Sequence, residues 1–132
     1  MEEKIRQMTR ALHLALLLST LAYPRHLHLE RYYQRAFCAK VHGVMEYRLR
    51  DGTRVDCQTP TYSFEVDFGR KAFESVGQSL YYAMMTGKRP GMVLIREKPV
   101  DDRYIGRIKP LARRYGIYLF VIDEQLRIRA IK

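Results

Sequence analysis

Apolar residues recur along this chain with two different spacings, and the spacing changes from one segment to the next. Between residues 28 and 40 they fall every three or four positions, which predicts a helix. In the next three segments they alternate with polar residues, which predicts strands, and Asp51-Gly52 marks the turn between the first two. This three-strand meander is predicted over residues 44–49, 53–59 and 62–68.

The second half of the chain predicts helices and strands in alternation. Residues 69–85 have a helical pattern, and residues 92–95 and 117–122 are continuous apolar runs, typical of strands buried on both faces. Asp101 and Asp102 can cap a helix that runs to Arg114, in which Pro110 predicts a kink or a break. Residues 126–131 predict an edge strand. We therefore expect an α/β fold in which helices flank a mixed β-sheet, the meander being followed by further strands.

The first 22 residues allow two interpretations. Lys4, Arg6 and Arg10 precede an apolar run, residues 11–22, that is too short to span a bilayer. Such a run is typical of a secretory signal peptide, which would make the protein periplasmic or secreted. The alternative is a buried first helix of a cytoplasmic protein. In both cases residues 23–132 are expected to form a single domain, without stable membrane insertion.

The two cysteines, Cys38 and Cys57, leave a similar choice open. In a reducing compartment they would be free thiols, whereas in an oxidising one they could form a single disulfide. That disulfide would join the first predicted helix of the domain to the central sheet.

The charge of the chain favours a polyanionic partner. There are 24 Lys and Arg against 14 Asp and Glu, which gives a net charge of +10. A surplus of this size on a small domain favours nucleic acid, with an anionic membrane surface as the second choice. The candidate contacts to a phosphate backbone are Arg70, Arg107, Arg113 and Arg114.

Acidic residues on two adjacent predicted strands are the most unusual feature of the sequence. In the third strand, a period of two places Glu65 and Asp67 on one face, and the strand before it contributes Asp56. Close carboxylates repel one another unless a cation neutralises them. Oxygen ligands of this kind suit Mg²⁺ or Mn²⁺.

The helix predicted after this strand continues the polar surface. Its polar stripe consists of Lys71, Ser75, Gln78 and Tyr82. Its apolar side is predicted to consist of Phe73, Val76, Gly77, Leu80 and Met84. Lys71 could orient or activate a water, or stabilise charge on a phosphate.

Together these motifs resemble the PD-(D/E)xK nuclease superfamily, which has a restriction-endonuclease-like fold. The resemblance rests on Asp56, on Glu65-Val66-Asp67 and on Gln78-x-x-x-Tyr82. It implies that Asp56 and Glu65 hold a metal and that Gln78 and Tyr82 form the helix motif of one branch of the superfamily. We expect Asp67 to assist with the metal and Gln78 to be a further catalytic residue, and the side chains of Gln78 and Tyr82 are suited to hydrogen bonding a nucleotide. Asp67 stands where the motif has a lysine, and Lys71, four residues on, is the expected replacement.

Two further acids are possible members of the site. Glu30 lies where some members of the superfamily have an additional glutamate, and Glu46 lies on the first strand. The expected function is a Mg²⁺-dependent nuclease acting on DNA. The alternatives are a catalytically inactive nucleic-acid-binding relative and a basic periplasmic interaction protein. His26 and His28, in the loop before the first helix of the domain, are expected to be solvated.

Overall fold

A computed structural model describes residues 1–19 and 25–132 of the chain, and within it the predicted α/β architecture is confirmed. The helices are α1 (Glu2–Ser19), α2 (Glu30–Lys40), α3 (Ala72–Thr86) and α4 (Asp102–Tyr115). The strands are β1 (Val44–Arg48), β2 (Arg54–Gln58), β3 (Tyr62–Phe68), β4 (Arg89–Arg96), β5 (Tyr118–Asp123) and β6 (Ile128–Ile131). Short 3₁₀ turns precede α3 and α4 at Gly69–Lys71 and Pro99–Asp101.

The six strands form one mixed sheet in their order along the chain. β3, β4 and β5 are parallel, because α3 and α4 cross over between them, and the other neighbouring pairs are antiparallel. This arrangement is consistent with a restriction-endonuclease-like fold. It brings the carboxyl ends of β3 and β4 to the same edge of the sheet, where the turn Gly69–Lys71 follows.

One face of the sheet packs against α2 in an apolar core. Tyr33 and Phe37 of α2 contact the aromatic and aliphatic side chains of β3, including Phe64 and Val66. A disulfide between Cys38 and Cys57 joins α2 to β2, with the two Cα atoms 5.6 Å apart. Of the two states that the sequence left open, the structure thus has the disulfide.

The opposite face packs against α3 and α4. Met92 and Leu94 of β4 and Leu119 of β5 form the apolar core with Ile108 and Ala112 of α4. Half-buried Val76 and Leu80 of α3 pack against this cluster.

The predicted apolar side of α3 is only partly correct. Val76 and Leu80 do pack inward, but Phe73 is 61% exposed and Met84 is 71% exposed. Gly77 also faces open space. The reason is that α3 covers the polar face of β3. Two residues of the polar stripe of α3, Ser75 and Tyr82, are therefore buried against the sheet.

The break expected at Pro110 does not occur. α4 runs without interruption from Asp102 to Tyr115 with Pro110 inside it. Because proline has no backbone N–H, the carbonyl of Gly106 lacks its helical hydrogen-bond donor. Gly106 and Pro110 are both exposed, so water can donate to that carbonyl instead.

Residues 2–19 form a helix, and residues 1–10 are exposed. The expected cleavage point of the signal peptide falls within residues 20–24, which lie outside the described residues, so the signal peptide stays a prediction. Among the helices in the described ranges, none is long and apolar enough to cross a membrane.

Candidate active site

The ladder between β2 and β3 opens at the candidate site. The two strands pair at Cys57↔Phe64 and Gln58↔Ser63. At the next position, the side chain of Asp56 enters the gap, and its Oδ2 accepts a hydrogen bond of 2.8 Å from the backbone N–H of Val66. Asp56 is therefore held by the neighbouring strand.

Glu65 lies in this opening and is buried. Its side chain belongs to the polar face of β3, and only 4% of the residue is exposed. Within the described part of the chain, its Oε1 has no hydrogen-bond partner. A buried carboxyl oxygen without a partner is unfavourable, because it has lost water and gained nothing in exchange.

Asp67 links β3 to the two neighbouring helices. The hydroxyl of Ser75, on α3, donates a hydrogen bond to Oδ2 of Asp67. The Nζ of Lys71 lies 3.7 Å from Oδ1 of Asp67 and 3.8 Å from Oε2 of Glu30, the first residue of α2. Lys71 thus reaches the carboxyl cluster from the turn before α3, and Glu30 lies beside it.

Three carboxyl groups of this cluster, those of Glu65, Glu30 and Asp56, have pKa values raised above their ordinary range. Burial, together with the charges of Asp56 and Asp67, raises the pKa of Glu65 to about 9. Burial and the neighbouring Asp67 raise the pKa of Glu30 to about 8. Burial also raises the pKa of Asp56 to about 6, although the bond from the Val66 N–H opposes this shift. At neutral pH, Glu65 therefore holds its proton.

Glu46 lies at the margin of this cluster in an unusual backbone conformation. Its φ of 54° is in the left-handed region, which is unfavourable for a residue other than glycine. Its Oε1 accepts a 2.8 Å hydrogen bond from the Nε2 of Gln34, which also donates to the backbone carbonyl of Asp56 at 2.9 Å. Nothing in the sequence pattern indicated this role for Gln34, which lies on the buried face of α2.

Tyr82 and Gln78 lie further along α3. Tyr82 is buried, and burial together with the charges of Glu65 and Asp56 raises its pKa to about 12. Gln78 is half-buried, and its side chain makes no hydrogen bond with the described residues. Tyr82 is therefore close enough to Glu65 and Asp56 for their charges to raise its pKa. Gln78 has no defined contact with these carboxyl groups.

The predicted basic contacts divide into two groups. Arg70 is exposed and adjoins Lys71 in the turn before α3. Arg107 is exposed in the first half of α4, where its guanidinium lies 5.9 Å from the ring centre of Tyr104. Arg113 and Arg114 are in the last turn of α4, which leads into the amino end of β5, so they lie at the edge opposite the carboxyl cluster.

A divalent cation is chemically compatible with these carboxyl groups. Among residues 1–19 and 25–132, no three His, Cys, Asp or Glu side chains converge as a ready set of metal ligands. However, Oε1 of Glu65 has no partner in this part of the chain, and burial raises the pKa values of Glu65 and Asp56, so ionising these carboxyl groups together is unfavourable without a further cation. Carboxylate oxygens suit Mg²⁺ or Mn²⁺.

A further buried carboxylate, Glu97 at the end of β4, was not predicted. It accepts hydrogen bonds from the hydroxyl of Tyr33 at 2.7 Å, the backbone N–H groups of Leu27 and His28 at 3.0 and 3.2 Å, and lies 3.1 Å from Nδ1 of His26. Burial opposes ionisation, but these hydrogen bonds lower the pKa of Glu97. His26 is therefore part of a polar network, and the expectation that it is simply solvated was wrong.

Comparison of the chain with protein-family models, with curated proteins and with solved structures finds no match.

Proposed function

We propose that this protein is a Mg²⁺- or Mn²⁺-dependent nuclease that hydrolyses phosphodiester bonds in DNA. The observation that carries the proposal is the buried carboxyl of Glu65, whose Oε1 has no partner in the described residues. It lies between the charges of Asp56 and Asp67, which both raise its pKa. The basic composition of the chain, with a net charge of +10, supports a polyanionic substrate.

In this proposal Asp56 and Glu65 hold the cation and Asp67 assists. A divalent cation bound there supplies Lewis acidity towards the phosphate and acidifies a water molecule. Asp56 and Asp67 would have to exchange their present contacts with Val66 and Ser75 for the cation. Glu65 would have to lose its proton, since its pKa is raised to about 9.

Lys71 acts in this proposal as a fixed positive charge. The charges of Glu30 and Asp67 raise its pKa, so it remains protonated at neutral pH and is unsuited to act as a base. Its side chain is 57% exposed, so the ammonium can contact both the carboxyl cluster and a bound phosphate. We assign it to stabilising the charge that develops on the phosphate during attack.

Tyr82 and Gln78 have different parts in this scheme. Tyr82 is buried and keeps its proton, because burial and the charges of the neighbouring Glu65 and Asp56 raise its pKa to about 12. We therefore assign it to positioning Glu65 and Asp56 instead of contacting the nucleotide. Gln78, half-buried and without a partner in the described residues, is the better candidate for a contact with substrate.

A second candidate function is nucleic-acid binding without turnover. It is favoured by the ion pairs of Lys71 with Glu30 and Asp67, which already use the charge that catalysis requires. In this case the chain would bind DNA but cleave it with neither cation.

Nicking of supercoiled plasmid with Mg²⁺ or Mn²⁺ tests the proposal. We expect cleavage by the wild type and a loss of at least about a hundredfold for Asp56→Asn and for Glu65→Gln. Glu74→Gln, which removes an exposed acid from the first turn of α3, is the matched control and should cleave normally. Activity that survives both site substitutions would exclude this site. DNA binding without any cleavage would establish the second candidate.

A further inference from the structure

A cavity opens beside the candidate active site. It lies between the loop that precedes α2 and the turn Gly69–Lys71, and its volume is about 860 Å³. Glu30 and Lys71, which belong to the carboxyl cluster, line its wall. A cavity of this size is large enough for a ligand such as a nucleotide.

The polar part of the lining favours an anion. Arg25, Arg70 and Lys71 contribute permanent positive charges, and Glu30 is the only acid among the described lining residues. Several cationic side chains facing one space are typical of a phosphate contact.

The apolar part of the lining is unusual for a surface loop. Leu27 is 58% exposed and Leu29 is 82% exposed at the cavity. The ring of Phe68 stacks on that of His26 with 3.6 Å between the ring centres and 17° between their planes. An apolar rim beside an aromatic stack suits the flat face of a base better than it suits a phosphate alone.

Leu29 is also unfavourable for the helix that it precedes. It is the N-cap residue of α2, and it makes no side-chain hydrogen bond to the first turn in the described structure. Ser, Thr, Asp and Asn are strongly preferred at this position, because their side chains can accept such a bond. The exposed side chain of Leu29 therefore does not cap α2, which favours another role for it.

Glu97 holds the loop in place. Its Oε1 accepts hydrogen bonds from the backbone N–H groups of Leu27 and His28, and its Oε2 lies 3.1 Å from Nδ1 of His26. Because Glu97 is buried at the end of β4, the loop is attached to the rigid sheet. A preformed wall lowers the entropy that a ligand loses on binding.

We propose that this cavity binds one unpaired nucleotide of the substrate, with its phosphate at Arg70 and Lys71 and its base against Leu27 and Leu29. A base within a duplex is stacked on both faces and paired at its edge, so it cannot lie against these side chains. The protein therefore prefers single-stranded nucleic acid to a continuous duplex. The inference deepens the proposed function, since it names the form of the substrate that reaches the same site.

Fluorescence anisotropy in the presence of EDTA tests the preference. The probes are a fluorescein-labelled 12-mer of thymidylate and the same strand paired with its adenylate complement. We expect the wild type to bind the single strand at least about fivefold more tightly, in line with the apolar area that one base would bury against Leu27 and Leu29. Equal affinity for the two probes would overturn the proposal.

Leu29→Ser separates binding from folding. Serine can cap α2, so this variant should have a higher Tm than the wild type. We expect it to bind the single strand about five- to tenfold more weakly and the duplex unchanged. Met84→Ser, which alters an exposed apolar residue on the outer face of α3, is the control. If Leu29→Ser binds the single strand as Met84→Ser does, the base does not lie at Leu29.

Arg70→Gln tests the phosphate contact against Arg113→Gln at the opposite edge of the sheet. Both variants lose one positive charge, but we expect only Arg70→Gln to lower the salt dependence of binding by about one unit of the log–log slope. If both variants lowered the salt dependence equally, the chain would attract nucleic acid only through its overall charge, and a phosphate contact at Arg70 would be excluded. Because EDTA prevents cleavage, these results do not depend on turnover, and a failure of the nuclease proposal would appear only in the plasmid assay.

Discussion

The two faces of β3 differ sharply in what they contribute to the protein. Phe64 and Val66 face α2 in an apolar core that the disulfide between Cys38 and Cys57 covalently links to the sheet. Glu65 and Asp67, the alternate residues of the same strand, are as deeply buried but face α3. One face thus contributes stability, whereas the other buries carboxyl groups at a cost in stability, as expected of a functional site.

The difference extends to the helices that cover each face. α2 presents Tyr33, Phe37 and Cys38 to the sheet, whereas α3 presents Ser75 and Tyr82. The apolar face requires a helix that excludes water, and the polar face requires hydrogen-bond donors. Substitutions on the polar face should therefore affect activity more than folding, and substitutions on the apolar face the reverse.

The largest effect on the polar side is expected from Lys71→Met. Removing the ammonium should lower the cleavage rate about 10²- to 10³-fold, because no other charge in the turn has the same contacts with Glu30 and Asp67. Its Tm should change little, since the side chain is largely exposed. Lys88→Met, just beyond the other end of α3, is the control in a plasmid-nicking assay. A Lys71→Met variant with full activity would remove Lys71 from the mechanism.

On the apolar side, the disulfide is expected to contribute most. Cys38→Ala combined with Cys57→Ala should lower the free energy of unfolding by about 3 kcal/mol, because the link closes a loop of 19 residues. Denaturant unfolding, with and without reductant, measures the change, and cleavage by the remaining folded protein should be normal. Reductant that lowers the stability of the wild type but not that of the double variant identifies the disulfide as the cause.

Most acidic residues of folded proteins have lowered pKa values, so their contribution to stability increases as pH rises. Buried Glu65 has a raised pKa, and its contribution should decrease as pH rises. Its pKa rises from 4.5 to about 9 on folding, so between these values the folded protein binds one more proton than the unfolded chain. The contribution of Glu65 to the free energy of unfolding therefore falls as pH rises from about 4.5 to about 9.

Glu65→Gln removes this contribution. In EDTA, its Tm should exceed that of the wild type at pH 8.5, and the difference should shrink as the pH is lowered to 5. Thermal unfolding over that range measures both proteins, with Glu74→Gln as the control. A difference in Tm that stays constant with pH would mean that Glu65 is not buried as a protonated acid.

The smallest effect is expected on the outer face of α3. Phe73→Ser should change the free energy of unfolding by no more than about 0.5 kcal/mol, because Phe73 is 61% exposed and lacks a packed environment. Chemical denaturation tests this directly. A loss of several times this size would mean that Phe73 packs inward, as the helical periodicity of the sequence suggested.

Most of the fold could be predicted because its patterns are local. The alternation of Phe64, Glu65 and Val66 predicted both a strand and its two faces, and β3 has the predicted bounds. Which side of α3 is buried could not be read in the same way. It depends on the polar residues of β3 beneath the helix, so an inward Ser75 and an outward Phe73 follow from a tertiary contact.

Of the polar residues that the structure brings together, the sequence predicted the carboxyl groups of the candidate site but not the network of Glu97. Asp56, Glu65 and Asp67 were brought together by strand period and family resemblance, and Glu30 by the resemblance alone. Glu97 was not, because a glutamate after a strand and before Lys98-Pro99 resembles an ordinary surface loop. Its partners lie 64 to 71 positions earlier in the chain, a distance at which sequence periodicity carries no information.

If Glu65 and Asp56 form a divalent-cation site, calorimetric titration with Mn²⁺ at pH 7.5 will detect binding to the wild type. Measured in two buffers of different ionisation enthalpy, binding should release about one proton per Mn²⁺, because Glu65 must deprotonate to act as a ligand. Glu65→Gln should bind at least about tenfold more weakly and release no proton. Absence of binding to the wild type, or equal affinity and proton release in Glu65→Gln, would exclude a cation site at Glu65.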